Sequence, residues 1–223
     1  MKKIYVALLA GLCAILMAGC GFDASAVDKA LCAETWHMFK TDHQGHTRAY
    51  QYTFEKEKVT VEYLDVTALA ETEPAYVRAR DVRLEEEGTY DYKIGRDNIT
   101  IKAEDTEKIP YTFADGALTL ADGQYFTLER AAENLMGEWN AVDSFGDNTV
   151  THLLTLNEDG TSVYTNIEII AGKKTKQKYK GKYQVCNGYV KNHEKKTDAD
   201  KYYFYTFNGG NMNMIGFQRT EEE

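Results

Sequence analysis

THLLTLNEDGTSVYTNIEII, residues 151–170, sets two runs rich in Thr, Leu, Ile, Val and Tyr on either side of Asn157-Glu158-Asp159-Gly160. An Asp-Gly pair between two such runs is a strong hairpin signal, because both residue types tolerate the positive φ of a tight turn. The stretch therefore predicts two antiparallel strands. The next run, KKTKQKYKGKYQV (173–185), adds a third. Lys174, Lys176, Lys178, Lys180 and Lys182 stand at every second position, with Tyr179, Tyr183 and Val185 on the opposite face. Side chains alternate across a strand, so the lysines share one wet face, and such charge discourages edge pairing. The sharper alternative is that the row contacts anionic lipid headgroups, acidic glycans or the acidic first half of the chain.

The same order of features occurs twice. A helical stretch leads to a tryptophan in VDKALCAETWHMF (Trp36) and in AAENLMGEWNAV (Trp139). Two extended runs joined by a charged turn follow each, RAYQYTFEKEKVTVEYLDV in the first half and the opening stretch in the second. Then come Gly88-Thr89-Tyr90 and Gly181-Lys182-Tyr183, and finally YTFADGALTLADGQYFTLER and YTFNGGNMNMIGFQR, closing on Arg130 and Arg219. The first copy is longer in its middle, near ALAETEPAYVRARDVRLEEEG. Val59, Val61 and Tyr63 alternate with Thr60, Glu62 and Leu64, and Ile99 and Ile101 with Asn98, Thr100 and Lys102. Leu118 and Leu120 alternate with Ala117 and Thr119 in the same way. Period two with frequent turns predicts an all-β chain of about eight strands per half, as small barrels or a sandwich. Helix is expected only before the tryptophans, where Ser25-Ala26-Val27-Asp28 has the form of a capping box.

The chain begins MKKIYVALLAGLCAILMAGCGFDAS. Lys2 and Lys3 form a positive n-region, and Ile4 to Leu16 an apolar h-region of signal-peptide length, too short to span a bilayer comfortably. Leu16-Met17-Ala18-Gly19-Cys20 resembles the lipobox of bacterial lipoproteins, with Met17 where that family usually has Leu. The resemblance implies cleavage before Cys20 and a diacylglycerol on its thiol, and two acyl chains are what stable anchoring takes.

Losing Lys2 and Lys3 moves the net charge from −9 to −11, and an acidic chain argues against nucleic acid as a partner. Residues 23–130 carry 22 acids and 13 bases, residues 133–223 carry 13 and 11. Abundant tyrosine (16) and scarce proline (2) favour strands over disordered linkers. With Cys13 in the signal and Cys20 lipidated, Cys32 and Cys186 remain, one in each half. Two buried thiols are expected, although an exported compartment permits a disulfide.

A helical turn, a tryptophan near the start of the first strand and an up-and-down run of strands resemble the lipocalin-like (calycin-type) domains of bacterial lipoproteins. Gly137-Glu138-Trp139 matches the Gly-x-Trp of that fold, while Ala33-Glu34-Thr35-Trp36 lacks the glycine. The resemblance implies two tandem small antiparallel β-barrels, each preceded by a short helix and each with a cup that could hold a small apolar or amphipathic ligand. The expected division is a signal peptide over 1–19, a lipidated linker over 20–25, a first lipocalin-like domain over 26–130 and a second over 131–220.

Candidate chemistry is sparse. His37, Asp42, His43 and His46 in HMFKTDHQGH could ligate Zn²⁺ or Cu²⁺. Their spacing fits no zinc motif, and exposed loop histidines are the expectation. Glu85-Glu86-Glu87 could serve acid–base chemistry but reads as a solvated run. No Gly-x-Ser-x-Gly, His-Glu-x-x-His or phosphate-binding glycine loop occurs, so no catalytic residue, metal or cofactor is expected. DKYYFYTF (200–207) offers aromatics that could stack on a sugar, seat a partner or pack on the other half. The expectation is an exported, non-enzymatic lipoprotein of the bacterial cell envelope. It is held to a membrane through Cys20, faces outside the cytoplasm and binds a small amphipathic ligand or an envelope component. The alternative is a structural or interaction module with filled barrels: an adhesin, inhibitor or assembly factor. Interior volume separates the two.

Overall fold

The computed structural model describes residues 22–72, 82–208 and 210–220. The expected signal peptide over 1–19 and the expected lipid attachment at Cys20 lie outside the described residues. Helix α1 (Ala24–Cys32) leads into strands β1 (Thr35–Thr41), β2 (Thr47–Glu55) and β3 (Lys58–Asp65), then helix α2 (Val66–Thr72). Strands β4 (Glu85–Ile94), β5 (Asn98–Lys102), β6 (Thr106–Ala114) and β7 (Ala117–Leu120) complete the first sheet. Helix α3 (Leu128–Leu135) opens the second half, followed by β8 (Gly137–Phe145), β9 (Asn148–Leu156), β10 (Thr161–Ile170) and β11 (Lys173–Cys186). Strands β12 (Tyr189–Glu194), β13 (Ala199–Asn208), β14 (Asn211–Met214) and β15 (Gln218–Arg219) end it.

Both sheets are antiparallel meanders, so the chain is all-β with two tandem sheets, as its period-two alternation predicts. The seven strands of the first run in chain order from β1 to β7, and the eight of the second from β14 back to β8, with β15 beside β8. The second sheet is nearly closed, because Gln218 and Arg219 pair with Asn140 and Trp139. The first is a half-barrel. Its last segment reaches β1 through one bridge, between His37 and Phe126, with backbone hydrogen bonds of 2.8 and 2.9 Å.

The Asp159-Gly160 hairpin forms as expected. Asp159 Oδ1 accepts from the Thr161 amide at 3.0 Å, and Gly160 takes a φ of +74°. The two tryptophans do equivalent work. Trp36 Nε1 donates to the Leu31 carbonyl at 3.1 Å, and Trp139 Nε1 to the Leu135 carbonyl at 2.8 Å. The last carbonyls of a helix lack intrahelical partners, so each indole ties a preceding helix to the first strand of its sheet. Arg219 completes this clasp in the second half, with Nη1 and Nη2 donating to the carbonyls of Asn134 (3.1 Å) and Met136 (2.6 Å) and the guanidinium 5.5 Å from the Trp139 ring. Arg130 is not its counterpart, because it lies within α3.

Three local expectations are corrected. Asp23, not Ser25, caps α1, accepting from the amides of Ser25 and Ala26 at 3.0 and 3.1 Å. The helix thus begins inside the supposed capping box, and Asp28 is left for another partner. Helix α2 precedes no tryptophan; it starts where Asp65 accepts from the Ala68 amide at 3.0 Å. Leu64, placed on the wet face by alternation, is buried because that face meets the second sheet, where Leu64 and its cross-strand partner Ala49 pack with Tyr202 and Phe204.

The first core gathers Trp36, Tyr52, Phe54, Ile99, Ile101 and Leu120. The second gathers Trp139, Leu154, Tyr164, Tyr203, Tyr205 and Met212. A third cluster joins the halves: Ala49, Leu64 and Val66 against Tyr202 and Phe204. The run DKYYFYTF is therefore buried on both faces. Tyr203 and Tyr205 point into their own sheet, and Tyr202 and Phe204 onto the first.

Candidate functional site

The histidine cluster separates in space. Asp42, His43 and His46 lie in the exposed β1–β2 turn, where Asp42 Oδ1 accepts from the amides of Gln44 (2.8 Å) and His46 (3.0 Å). Those bonds hold the Asp42 carboxyl below its ordinary range. His37 is in β1 and wholly buried, which corrects its expected exposure. It faces the seam because odd positions of β1 point toward the second half, where Phe39 also packs between Phe126 and Tyr205. His37 Nδ1 meets Asn187 Oδ1 at 3.1 Å, and Asn187 Nδ2 donates to the Ala49 carbonyl at 2.8 Å. Asn187 and Gly188 form the turn between β11 and β12, pressed so closely onto the first sheet that a Cβ on Gly188 would sit 2.7 Å from Ala49 Cβ and Val66 Cγ1. Burial lowers the His37 pKa to about 4. Among the described residues no group of three or more His, Cys, Asp or Glu side chains is arranged to hold a metal.

Glu85, Glu86 and Glu87 open β4 in solvent, and Glu85 accepts from the Tyr63 hydroxyl at 2.6 Å. The carboxylates are engaged or solvated, as a charge run should be. Cys32 and Cys186 are free thiols in separate halves. Cys186 is half-buried, and burial raises its pKa; Cys32 is exposed, against expectation, because it ends α1 on the side facing solvent.

An open groove of about 650 Å³ runs between the start of α1, the β2–β3 turn and β4, lined in part by Ser25, Asp28, Glu57, Asp91, Tyr92 and Lys102. Asp28, released from capping, accepts from the Tyr92 hydroxyl at 2.6 Å, and Cys32 Sγ lies 3.5 Å from the same oxygen. Burial, then the bond to Asp28, pushes the Tyr92 phenol far above its usual pKa. Asp91 is held below the carboxylate range by Lys58 at 2.7 Å. The β2–β3 turn carries Lys56 and Glu57 at φ +45° and +67°, a strained conformation for residues with a Cβ. The groove is a mixed-charge surface with some apolar floor, suited to a small polar or amphipathic group.

A second polar constellation occupies the inner face of the second sheet. His152 Nε2 lies 3.1 Å from Asp143 Oδ2, and His152 Nδ1 2.6 Å from the Tyr164 hydroxyl. In neutral imidazole, Nε2–H donates to the carboxylate and Nδ1 accepts from the phenol, the parts of a proton relay. Deeper in, Lys201 Nζ pairs with Glu194 Oε1 at 3.0 Å and stands 4.3 Å over the Tyr164 ring. Ser162 donates to Asn192 Oδ1 at 2.5 Å. Tyr164 belongs to the packed core with Trp139 and Leu154, so the relay closes over a filled interior. Nothing in the spacing of these residues pairs them; only strand register does, with Asn166 opposite His152 and Tyr164 opposite both Leu154 and Tyr179.

No protein-family model, curated protein or solved structure matches the chain.

Proposed function

We propose that the chain is an exported lipoprotein of the bacterial cell envelope, tethered through lipid on Cys20. It works without catalysis as an interaction module of two lipocalin-like domains, with partners on its outer surfaces. What carries this is the state of the interiors. Trp36, Tyr52 and Phe54 fill the first sheet and Trp139, Tyr164, Tyr203 and Tyr205 the second, all of them buried. Sheets of this size have interiors just wide enough for side chains or one small ligand, and here side chains occupy them. The lipocalin-like assignment is supported by the repeated helix–tryptophan–meander order and by Gly137, which takes φ +120° at the start of β8.

The small-ligand alternative keeps one observation, the groove between α1 and β4 with its strained rim at Lys56 and Glu57. Native mass spectrometry of residues 21–223 purified from the host separates the two. An apo mass supports the interaction module, and a co-purifying small molecule supports ligand binding. Cys20→Ala in the full chain is expected to abolish lipidation and release the protein from membranes; a variant still lipidated and membrane-bound overturns the anchor.

A further inference from the structure

Six large hydrophobic side chains are exposed among the described residues, and five of them lie on the arm formed by β8 to β11: Val142, Phe145, Leu153, Ile169 and Ile170, between 37 % and 65 % exposed. Cross-strand partners share a face of a sheet, and the register sorts the arm into rows. One outer row runs Ser144, Thr149, Ile169, Lys174; the next Val142, Thr151, Ile167, Lys176; the third Asn140, Leu153, Thr165, Lys178. None of the three holds a carboxylate. The row of opposite parity next to Asn140 holds the buried Trp139, Leu154 and Tyr164, so these three face outward.

The arm also has a built tip. The Asn148 side chain accepts from the Ala171 amide at 2.9 Å, which pins the β8–β9 turn beside the β10–β11 turn. Phe145 and Ile170 belong to the row of opposite parity, next to Asp143 and Glu168, but at the very end of the arm both are exposed, with Lys173 opposite Ile170 and Asp147 the one acid in the two turns. Among the described residues, β11 has no strand on its far side along Lys173 to Tyr179, because β12 pairs only with Gly181 to Cys186 and the last bond on that side runs from the Lys195 amide to the Lys180 carbonyl. Lys174, Lys176 and Lys178 make no ion pair with a described residue.

Edge protection accounts for lysines on an unpaired strand, but it does not account for five exposed apolar side chains beside them. Burying those side chains against a partner does. We propose that the outer face and tip of the β8–β11 arm form a docking surface for an anionic phospholipid bilayer. Phe145, Ile169 and Ile170 enter the headgroup boundary, and Lys173, Lys174, Lys176 and Lys178 meet the phosphates. Apolar residues flanked by lysine are the composition of interfacial membrane segments, and lysine stems lie along apolar surface while their ammonium groups reach charge. Charge complementarity selects an anionic surface, since this carboxylate-free face belongs to a chain of net charge −9. Three sheet rows also present a broad face rather than a cleft, which suits a bilayer better than a peptide. The proposal rests on the interaction-module reading for its setting, and it names the partner.

The test is flotation of the unlipidated chain from residue 21, which keeps every helix and strand described, with two vesicle preparations: phosphatidylcholine alone, and phosphatidylcholine mixed with phosphatidylglycerol. Binding is expected to the anionic vesicles only. Lys174→Gln/Lys176→Gln/Lys178→Gln should weaken it on the order of 100-fold, and Lys176→Gln alone about 5-fold. Phe145→Ser/Ile170→Ser should abolish the part that survives high salt. All positions are exposed, so thermal melting should match the parent. No binding to anionic vesicles, or undiminished binding by the lysine variants, overturns the proposal. So does a concentration-dependent dimer that the same variants dissolve, which would make a second copy the occupant. If the full chain proves lipidated on Cys20 and residues 21–223 give an apo mass, yet that unlipidated form ignores the vesicles, this proposal alone is overturned.

Discussion

Asn187 Oδ1 lies 3.1 Å from His37 Nδ1 across the seam between the two sheets, joining residues 150 positions apart. Because Asn187 Nδ2 is committed to the Ala49 carbonyl, its Oδ1 can only accept, so the His37 proton sits on Nδ1. His37 Nε2 is left buried with no hydrogen-bond partner among the described residues. Burial away from water penalises the charged ring and lowers its pKa to about 4, and a second proton would leave a buried N–H on Nε2 with no acceptor among the described residues.

The folded state therefore takes up the His37 proton at lower pH than the unfolded chain, whose histidine titrates near 6.5. Stability from this residue is complete above pH 6.5 and is lost as pH falls toward 4, by about 3 kcal/mol in all. Urea unfolding across that window should show the loss, and His37→Gln, which cannot titrate, should show a flatter profile. Identical slopes in the two proteins would sink the assignment.

Gly188 and Gly160 have nearly the same backbone, φ +78° and +74°, in very different surroundings. Gly160→Ala meets nothing within 4 Å and should cost only the left-handed strain, about 1 kcal/mol. Gly188→Ala adds contacts at 2.7 Å with Ala49 and Val66 and should cost roughly 3 kcal/mol or more, with the excess expressed as loosening of the seam. Denaturant midpoints and amide exchange at Ala49 read the two parts; equal losses would mean that the seam yields freely.

Arg219 joins strand β15 to two carbonyls at the end of α3 and overlies Trp139. Arg219→Ala should destabilise the second half by about 2 kcal/mol, and Arg219→Lys should recover only part, because an ammonium cannot reproduce the forked pair of donors. Calorimetry of both variants checks the order; full rescue by lysine would show that charge alone matters there.

The hairpin at Asp159-Gly160, the tryptophans after their helices and the period-two alternation were all readable, because each is a local property of a few residues. The seam was not. Alternation marks one dry face, but Ala49, Leu64, Tyr202 and Phe204 are buried on the face that each sheet would otherwise show to water. His37 looked like a loop histidine because HMFKTDHQGH is polar on average, and only its place in β1 turns it inward. Asp28 read as a cap until Asp23 took that role. The Asp143–His152–Tyr164 chain spans three strands, and only register brings it together. The lysine row was legible as a face, but its apolar neighbours belong to β8, β9 and β10.

The seam also sets an order of assembly. Each ladder in the meander pairs strands adjacent in the chain, apart from the closing contacts of β15 with β8 and of Phe126 with His37. Local pairings of this kind form early. The Ala49 carbonyl, however, waits for Asn187, 138 residues later. While synthesis runs from the N-terminus, a completed first sheet carries a bare sticky flank until the eleventh and thirteenth strands arrive. That interval is when the unfinished protein most needs a chaperone.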